Sequence, residues 1–227
     1  MQRAASRSLL ILLLAATCPL LAASPYHLTL LARPAAPFPF LSRFGNVTLD
    51  VYPRGVRADS FWLNGFSLTG SPNVTIENPF TRMYNEMPVA SFAASVRKLS
   101  TLGVESSALA ELQKPVRGAV KGVAATRHRL QYGPQAWIDV WTTDTIPENP
   151  QLRAIANELV TAIAPPTAAI LRTIPGTPIH VELNFRRYRK VVLLELKTLA
   201  RDAAGEDDAL KVGALYFRAP MLDAIWK

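Results

Sequence analysis

The chain has 227 residues, enough for one sizeable hydrophobic core and too few for two comfortable ones. Hydrophobic residues make up 49% and charged residues 19%, which excludes a disordered chain, and the single cysteine, Cys18, excludes a disulfide framework. The formal net charge of +8 favours anionic surfaces or plain solubility; no recognisable nucleic-acid-binding motif accompanies it, so nucleic acid is not an expected partner.

The first segment reads MQRAASRSLLILLLAATCPLLAAS. Arg3 and Arg7 precede an unbroken apolar run from Leu9 to Ala16, and the segment closes on the small residues Ala22, Ala23 and Ser24. This is the pattern of a secretory signal peptide, and its apolar run is too short to span a bilayer comfortably. Residues 1–23 are therefore read as a leader cleaved near Ala23, and residues 24–227 as one α+β domain. Cleavage removes Cys18 and two arginines, leaving 23 basic against 17 acidic side chains, or +6. A competing reading makes Cys18 a lipidated first residue. Against it, Thr17 stands where such a signal carries Gly, Ala or Ser, and PLLAA is more apolar than the usual tether. A periplasmic or secreted protein without a transmembrane span in its mature chain is expected.

YHLTLLA is a first strand, followed by an irregular stretch rich in proline and aromatic residues up to residue 45. VTLDVYP at 47–53 alternates Val47, Leu49 and Val51 against Thr48, Asp50 and Tyr52, a strand period. SFWLNGFSLTG at 60–70 predicts a strand or hairpin with Asn64-Gly65 as its turn, and NVTIENP another short strand ended by Pro79. In MPVASFAASVRKLSTLG, Val89, Phe92, Val96 and Leu99 recur at helical spacing, with Gly103 as a stop. SSALAELQ adds a turn of helix, capped by Ser106 or Ser107.

VRGAVKGVAATRHRLQYG then reads as strand, Gly133-Pro134 as a turn, and AWIDVWTT as the returning strand of a hairpin. Asn149 caps a helix with Pro150 at its first position and an apolar stripe of Leu152, Ile155, Ala156, Leu159, Val160 and Ile163. Pro165-Pro166 ends it, and TAAILRTI is a second short helix. PIHVELNF and VVLLELKTLAR are strands, separated by the basic run RRYRK, and DAAGEDDALKVG is a polar loop before ALYFRAPMLDAIWK. Strands, a helix, a hairpin, helices and more strands make an α+β plan, mostly antiparallel sheet with helices on one face. Neither a βαβ series nor a glycine-rich phosphate loop is present, which disfavours a nucleotide-binding doubly wound fold.

The export signal, the early strands, the GxVKGxxATRxRL…WIDVWTT hairpin and IPGTPIHVEL after a helix together resemble a group of uncharacterised bacterial secreted or periplasmic proteins. The group is similar in outline to periplasmic lipoprotein carriers of the Lol type. The resemblance covers roughly residues 45–200. It implies a curved, mostly antiparallel sheet, an incomplete barrel with short helices packed on its concave face, whose apolar interior shelters an acyl chain or peptide. It implies no catalytic set.

In AWIDVWTT, Trp137, Asp139 and Trp141 share one strand face, while Ile138 and Val140 share the other. Both faces are apolar, so cover on both sides is expected. The Trp face is either packed core or the wall of a ligand pocket with Asp139 as its polar handle, and Asp139 is expected to pair with Arg127 or Arg129. His27, His128 and His180 lack metal-ligand spacing and read as hydrogen-bonded strand residues. GFSLTG lacks the nucleophile-elbow spacing, and Glu206, Asp207 and Asp208 lie in a polar loop, so no catalytic set, metal or cofactor is implied. Arg186, Arg187, Tyr188, Arg189 and Lys190 form a basic tip suited to an anionic envelope component.

The reading that follows is an exported, non-catalytic binding protein for an apolar or amphipathic ligand such as a lipid, acyl chain or peptide, with helix 150–163 as its lid. Two alternatives stand beside it. One is a structural or interaction protein with a packed core acting through the basic tip; the other is a hydrolase with an unrecognised site.

Overall fold

Alternating short apolar segments leave this chain few ways to bury its side chains other than a sheet, and among the described residues thirteen strands form one sheet. The computed structural model describes residues 25–33, 45–99, 110–132, 134–185 and 188–220. The leader with Cys18, the proline-rich stretch 34–44, Gly103, Ser106, Ser107, Gly133, Arg186 and Arg187 lie outside the described residues.

In chain order the strands are β1 (His27–Ala32), β2 (Val47–Tyr52), β3 (Gly55–Asp59), β4 (Asn64–Leu68), β5 (Asn73–Asn78) and β6 (Met83–Pro88). Helix α1 (Val89–Leu99) follows, then β7 (Glu111–Leu112), β8 (Val116–Val120), β9 (Val123–Tyr132) and β10 (Ala136–Thr143). Helices α2 (Pro150–Ile163) and α3 (Pro165–Leu171) precede β11 (Thr177–Phe185) and β12 (Tyr188–Ala200), and α4 (Glu206–Ala209) and β13 (Phe217–Arg218) end the chain.

The strand order is β13-β6-β5-β4-β3-β2-β1-β12-β11-β10-β9-β7, with β8 also on β9, and the two ends do not pair, so the sheet is open. Every ladder is antiparallel except the short β13–β6 pair. The seam is β1 on β12, where the first strand closes against the last long one and joins the two halves of the chain.

Several local expectations change. Asn64-Gly65 is not the turn. The turn is Ser60–Leu63, between the unanticipated strand β3 and β4, and Asn64-Gly65 open β4. Gly65 is small for a packing reason: a Cβ there would meet the Thr75 carbonyl oxygen at 2.9 Å and the Ile76 side chain at 3.1 Å. Met87 and Pro88 belong to β6, so the helix starts at Val89. VRGAVKGVAATRHRLQY is a hairpin, β8–β9, turning at Lys121 and Gly122, both with positive φ (49° and 81°). Glu111-Leu112 pair as strand with β9 instead of continuing a helix. The Pro165-Pro166 pair opens α3, in the first-turn positions where a missing N–H costs nothing.

Helix α2 behaves as its sequence predicts: the Asn149 side chain accepts from Leu152 N at 2.9 Å and Pro150 follows it. The start of the helix is also tied to the sheet. Asn149 Nδ2 donates to the Tyr52 carbonyl at 2.7 Å, and the buried Gln151 amide donates to Ser67 Oγ at 2.6 Å and to the Ser71 carbonyl at 3.0 Å. One core cluster gathers Leu28, Leu30, Val51, Val56, Ile146, Ile179 and Leu196, with Leu152 packed against it. A second joins Val74, Ile76, Met87 and Val89 with Ile155. The predicted α2 stripe is thus divided between two cores.

Candidate functional site: an apolar cavity between helices and sheet

Strand alternation decides the site. The face of β10 made by Ala136, Ile138, Val140 and Thr142 lines a cavity of about 630 Å³. Tyr132 of β9, Val181 and Leu183 of β11, and Leu193 and Leu194 of β12 continue that wall. Helix α2 supplies Leu152, Ala156, Asn157 and Val160 at helical spacing, and α3 with its exit supplies Thr167, Leu171 and Ile174. The surface of the lining is mostly apolar, with Thr142, Asn157 and Thr167 as polar members of the wall. A third cluster, Leu130, Val140 and Ile174 with Ile138, Ile170, Leu171 and Val181, anchors α3 beside it.

Most of the polar side chains at its margin are already engaged. Arg153 pairs with Glu148 and donates to the carbonyls of Ile174 and Gly176 at 3.1 and 3.3 Å. Tyr132 and Thr167 share a hydroxyl hydrogen bond of 2.7 Å, and Thr177 donates to the Ile146 carbonyl at 2.9 Å. Burial pushes the Tyr132 phenol up, against a smaller opposite pull from that bond, so it stays protonated. Such a wall offers shape and apolar area and makes no strong demand on a ligand's polar groups.

The other face of β10 carries Trp137, Asp139 and Trp141, the three residues expected to bind ligand, and none of them is among the residues lining this cavity. The Asp139 carboxylate, 2% exposed, accepts two hydrogen bonds from Arg129 at 2.7 Å each, the register partner directly across on β9. The expected arginine pairing is therefore present, as a bidentate bond. Arg129 also lies over the Trp137 ring at 4.9 Å and Arg127 near the Trp141 ring at 5.9 Å. Trp141 reaches the first core cluster, and its ring leaves no room for a Cβ at Gly118, which would meet it at 2.8 Å. The stripe is held by cations and packing.

Next to it, Glu182 accepts from Lys190 (2.6 Å), His180 (3.0 Å) and Asn184 (3.3 Å). Burial would raise the Glu182 carboxyl, but these donors and the Lys190 charge hold it below the ordinary range. Lys190 of the expected basic tip is thereby committed to Glu182; Arg186 and Arg187 lie outside the described residues, and Tyr188 and Arg189 enter only as the first residues of β12.

The histidines act singly. His27 bonds Asp50 at 2.7 Å and stacks on Tyr52 at 4.4 Å, His180 bonds Glu182, and His128 bonds Thr142 Oγ1 at 3.1 Å. Burial pushes the His128 imidazole below its ordinary value, with a weaker opposing pull from Asp144. The unfolded chain then binds its proton first, so this contribution to stability is complete well above the unfolded value of about 6.5 and is lost as pH falls from there through the lowered folded value. The melting temperature should drop between pH 7.5 and 5, and His128→Gln should flatten that limb; an equally steep limb in the variant would assign it to other groups.

A second, polar cavity of about 430 Å³ lies under α4, where Arg57 bonds Asp59 at 2.9 Å and Glu77 at 3.3 Å. Burial pushes the Glu77 carboxyl up despite Arg57. Sequence reasoning missed this cluster, because Arg57 lies on an unanticipated strand and Glu77 two strands away from it.

The fold and cavity define a class: an open, mostly antiparallel sheet with short helices and, among the described residues, a large and mostly apolar chamber. Compared with known families and with curated proteins, the chain matches none. Among solved structures it is similar to an uncharacterized conserved protein from Thermus thermophilus, at 11% sequence identity and a TM-score of 0.43, covering 87% of this chain and 92% of that one.

Proposed function

We propose that the protein is an exported, non-catalytic carrier of an apolar or amphipathic ligand, an acyl chain being the simplest fit, held between α2, α3 and strands β9–β12. In this reading the leader 1–23 directs export to the periplasm or beyond, the sheet curls around the helices so that they occupy its concave side, and α2 serves as the lid. The resemblance to Lol-type carriers points the same way. The observation that carries the proposal is the mostly apolar cavity of about 630 Å³. Protein interiors are packed to near crystal density, with few voids larger than a water molecule, so a chamber this size is a poor structural element and a good binding site. Each ligand methylene transferred into it contributes about 0.8 kcal/mol.

The test is native mass spectrometry of the protein purified from its own compartment, followed by organic extraction. A co-purifying lipid or acylated peptide released on denaturation supports the carrier. A clean apo mass together with no uptake of a fluorescent fatty acid sinks it.

A further inference from the structure

Turn tips normally carry glycine, proline, asparagine or other polar residues, because they face water. Two neighbouring turns here carry large aromatic rings instead. In the β3–β4 turn, Ser60 Oγ donates to the Leu63 carbonyl at 2.6 Å and accepts from Leu63 N at 3.0 Å, which sets Phe61 and Trp62 at the two outer positions. In the β5–β6 turn, Asn78 Oδ1 accepts from Phe80 N at 2.9 Å and Thr81 N at 3.1 Å, which sets Phe80 outward. Because Asn64 pairs with Glu77 across β4 and β5, both turns project from one end of the sheet.

The three rings form one cluster. Their centroids lie 5.1, 5.2 and 5.5 Å apart, in edge and tilted contacts, yet Phe61 is 66%, Trp62 48% and Phe80 57% exposed. The base is rigid, since Leu63 and Met83 pack on the second core cluster. Exposed Phe217 pairs with Met83 at the adjoining edge, and Arg82 and Arg218 stand exposed beside these residues without an ion pair among the described residues.

We propose that this tip docks the protein on an anionic lipid bilayer, with Phe61, Trp62 and Phe80 entering the interface and Arg82 and Arg218 meeting headgroup phosphates. Aromatic rings flanked by arginines match the interfacial zone of a bilayer, where amphipathic rings sit at headgroup depth and cations gain from anionic lipid. A protein partner is the poorer fit: stable protein interfaces need about 800 Å² on each side, whereas this tip offers three rings carried on two turns. The proposal is independent of what fills the cavity.

The test uses the full chain with phosphatidylcholine vesicles containing phosphatidylglycerol, some with brominated acyl chains. Bromolipid should quench tryptophan emission on binding, and Trp62→Phe should remove that quenching while co-sedimentation persists. The triple variant Phe61→Ser/Trp62→Ser/Phe80→Ser should lower vesicle partitioning by roughly tenfold or more with an unchanged melting temperature, because all three side chains are solvent-exposed. Quenching that survives Trp62→Phe, or partitioning that survives the triple substitution, overturns the proposal. So does a wild-type chain that ignores vesicles and instead loses a self-association in the triple variant.

Discussion

Replacing Ala156 by phenylalanine should weaken binding of a fluorescent fatty acid by roughly fiftyfold and leave the protein folded. Ala156 faces the cavity from α2 and belongs to none of the three core clusters, so a larger ring there extends into ligand space. If the ring displaces about three methylene groups of the ligand, at about 0.8 kcal/mol each, the loss is about 2.4 kcal/mol, which is that factor in affinity. The helix itself loses less than about 0.7 kcal/mol from the poorer helix former, and the Asn149 and Gln151 ties that seat α2 are untouched. Titration of wild type and variant with the same probe, alongside thermal melts, reads both quantities. Equal affinity in a folded Ala156→Phe protein would remove the chamber between α2 and β10 as the ligand site.

Asp139→Ala should do the reverse: a large loss of stability with no loss of uptake. Asp139 is buried, while the Arg129 side chain that pairs with it is 27% exposed. Removing one partner of a buried ion pair costs about 3–5 kcal/mol, and the partial exposure of Arg129 places the cost near the lower end, about 3 kcal/mol. For a chain of this length that lowers the melting temperature by about 6–12 °C. Probe affinity below the transition should match wild type, because Trp137, Asp139 and Trp141 look away from the cavity. Lost uptake in a folded Asp139→Ala or Trp137→Ala protein would return the ligand to the tryptophan face.

Much of the fold was legible wherever near neighbours decide. The alternation of Val47, Leu49 and Val51 made β2, the β9–β10 hairpin followed its own period, and Asn149-Pro150 began α2 where helix-start chemistry requires. Turns were less legible. Asn64-Gly65 carries the strongest two-residue turn signal, yet Gly65 answers to the Thr75 carbonyl and Ile76 across the sheet. Lys121-Gly122 is a weaker signal, yet both residues adopt positive φ there. Strands β3 and β6 were hidden because their short, partly polar segments gain their partners only from neighbouring hairpins.

By itself, the sequence determined that this chain builds mostly antiparallel sheet with an amphipathic helix at 150–163, since period, capping and turn propensity act over a few residues. It also determined that β10 has two different apolar faces. Which face meets the chamber was decided by the tertiary structure alone. A strand with apolar side chains on both sides carries no local signal for direction, and the choice falls to what packs on each side: α2 and α3 over Ile138 and Val140, and the arginines of β9 over Trp137 and Trp141. The exposed aromatic tip has the same origin. Phe61, Trp62 and Phe80 are far apart or merely adjacent in the linear chain, and form one surface feature only because two turns, ordered by Ser60 and Asn78, project from the same end of the sheet.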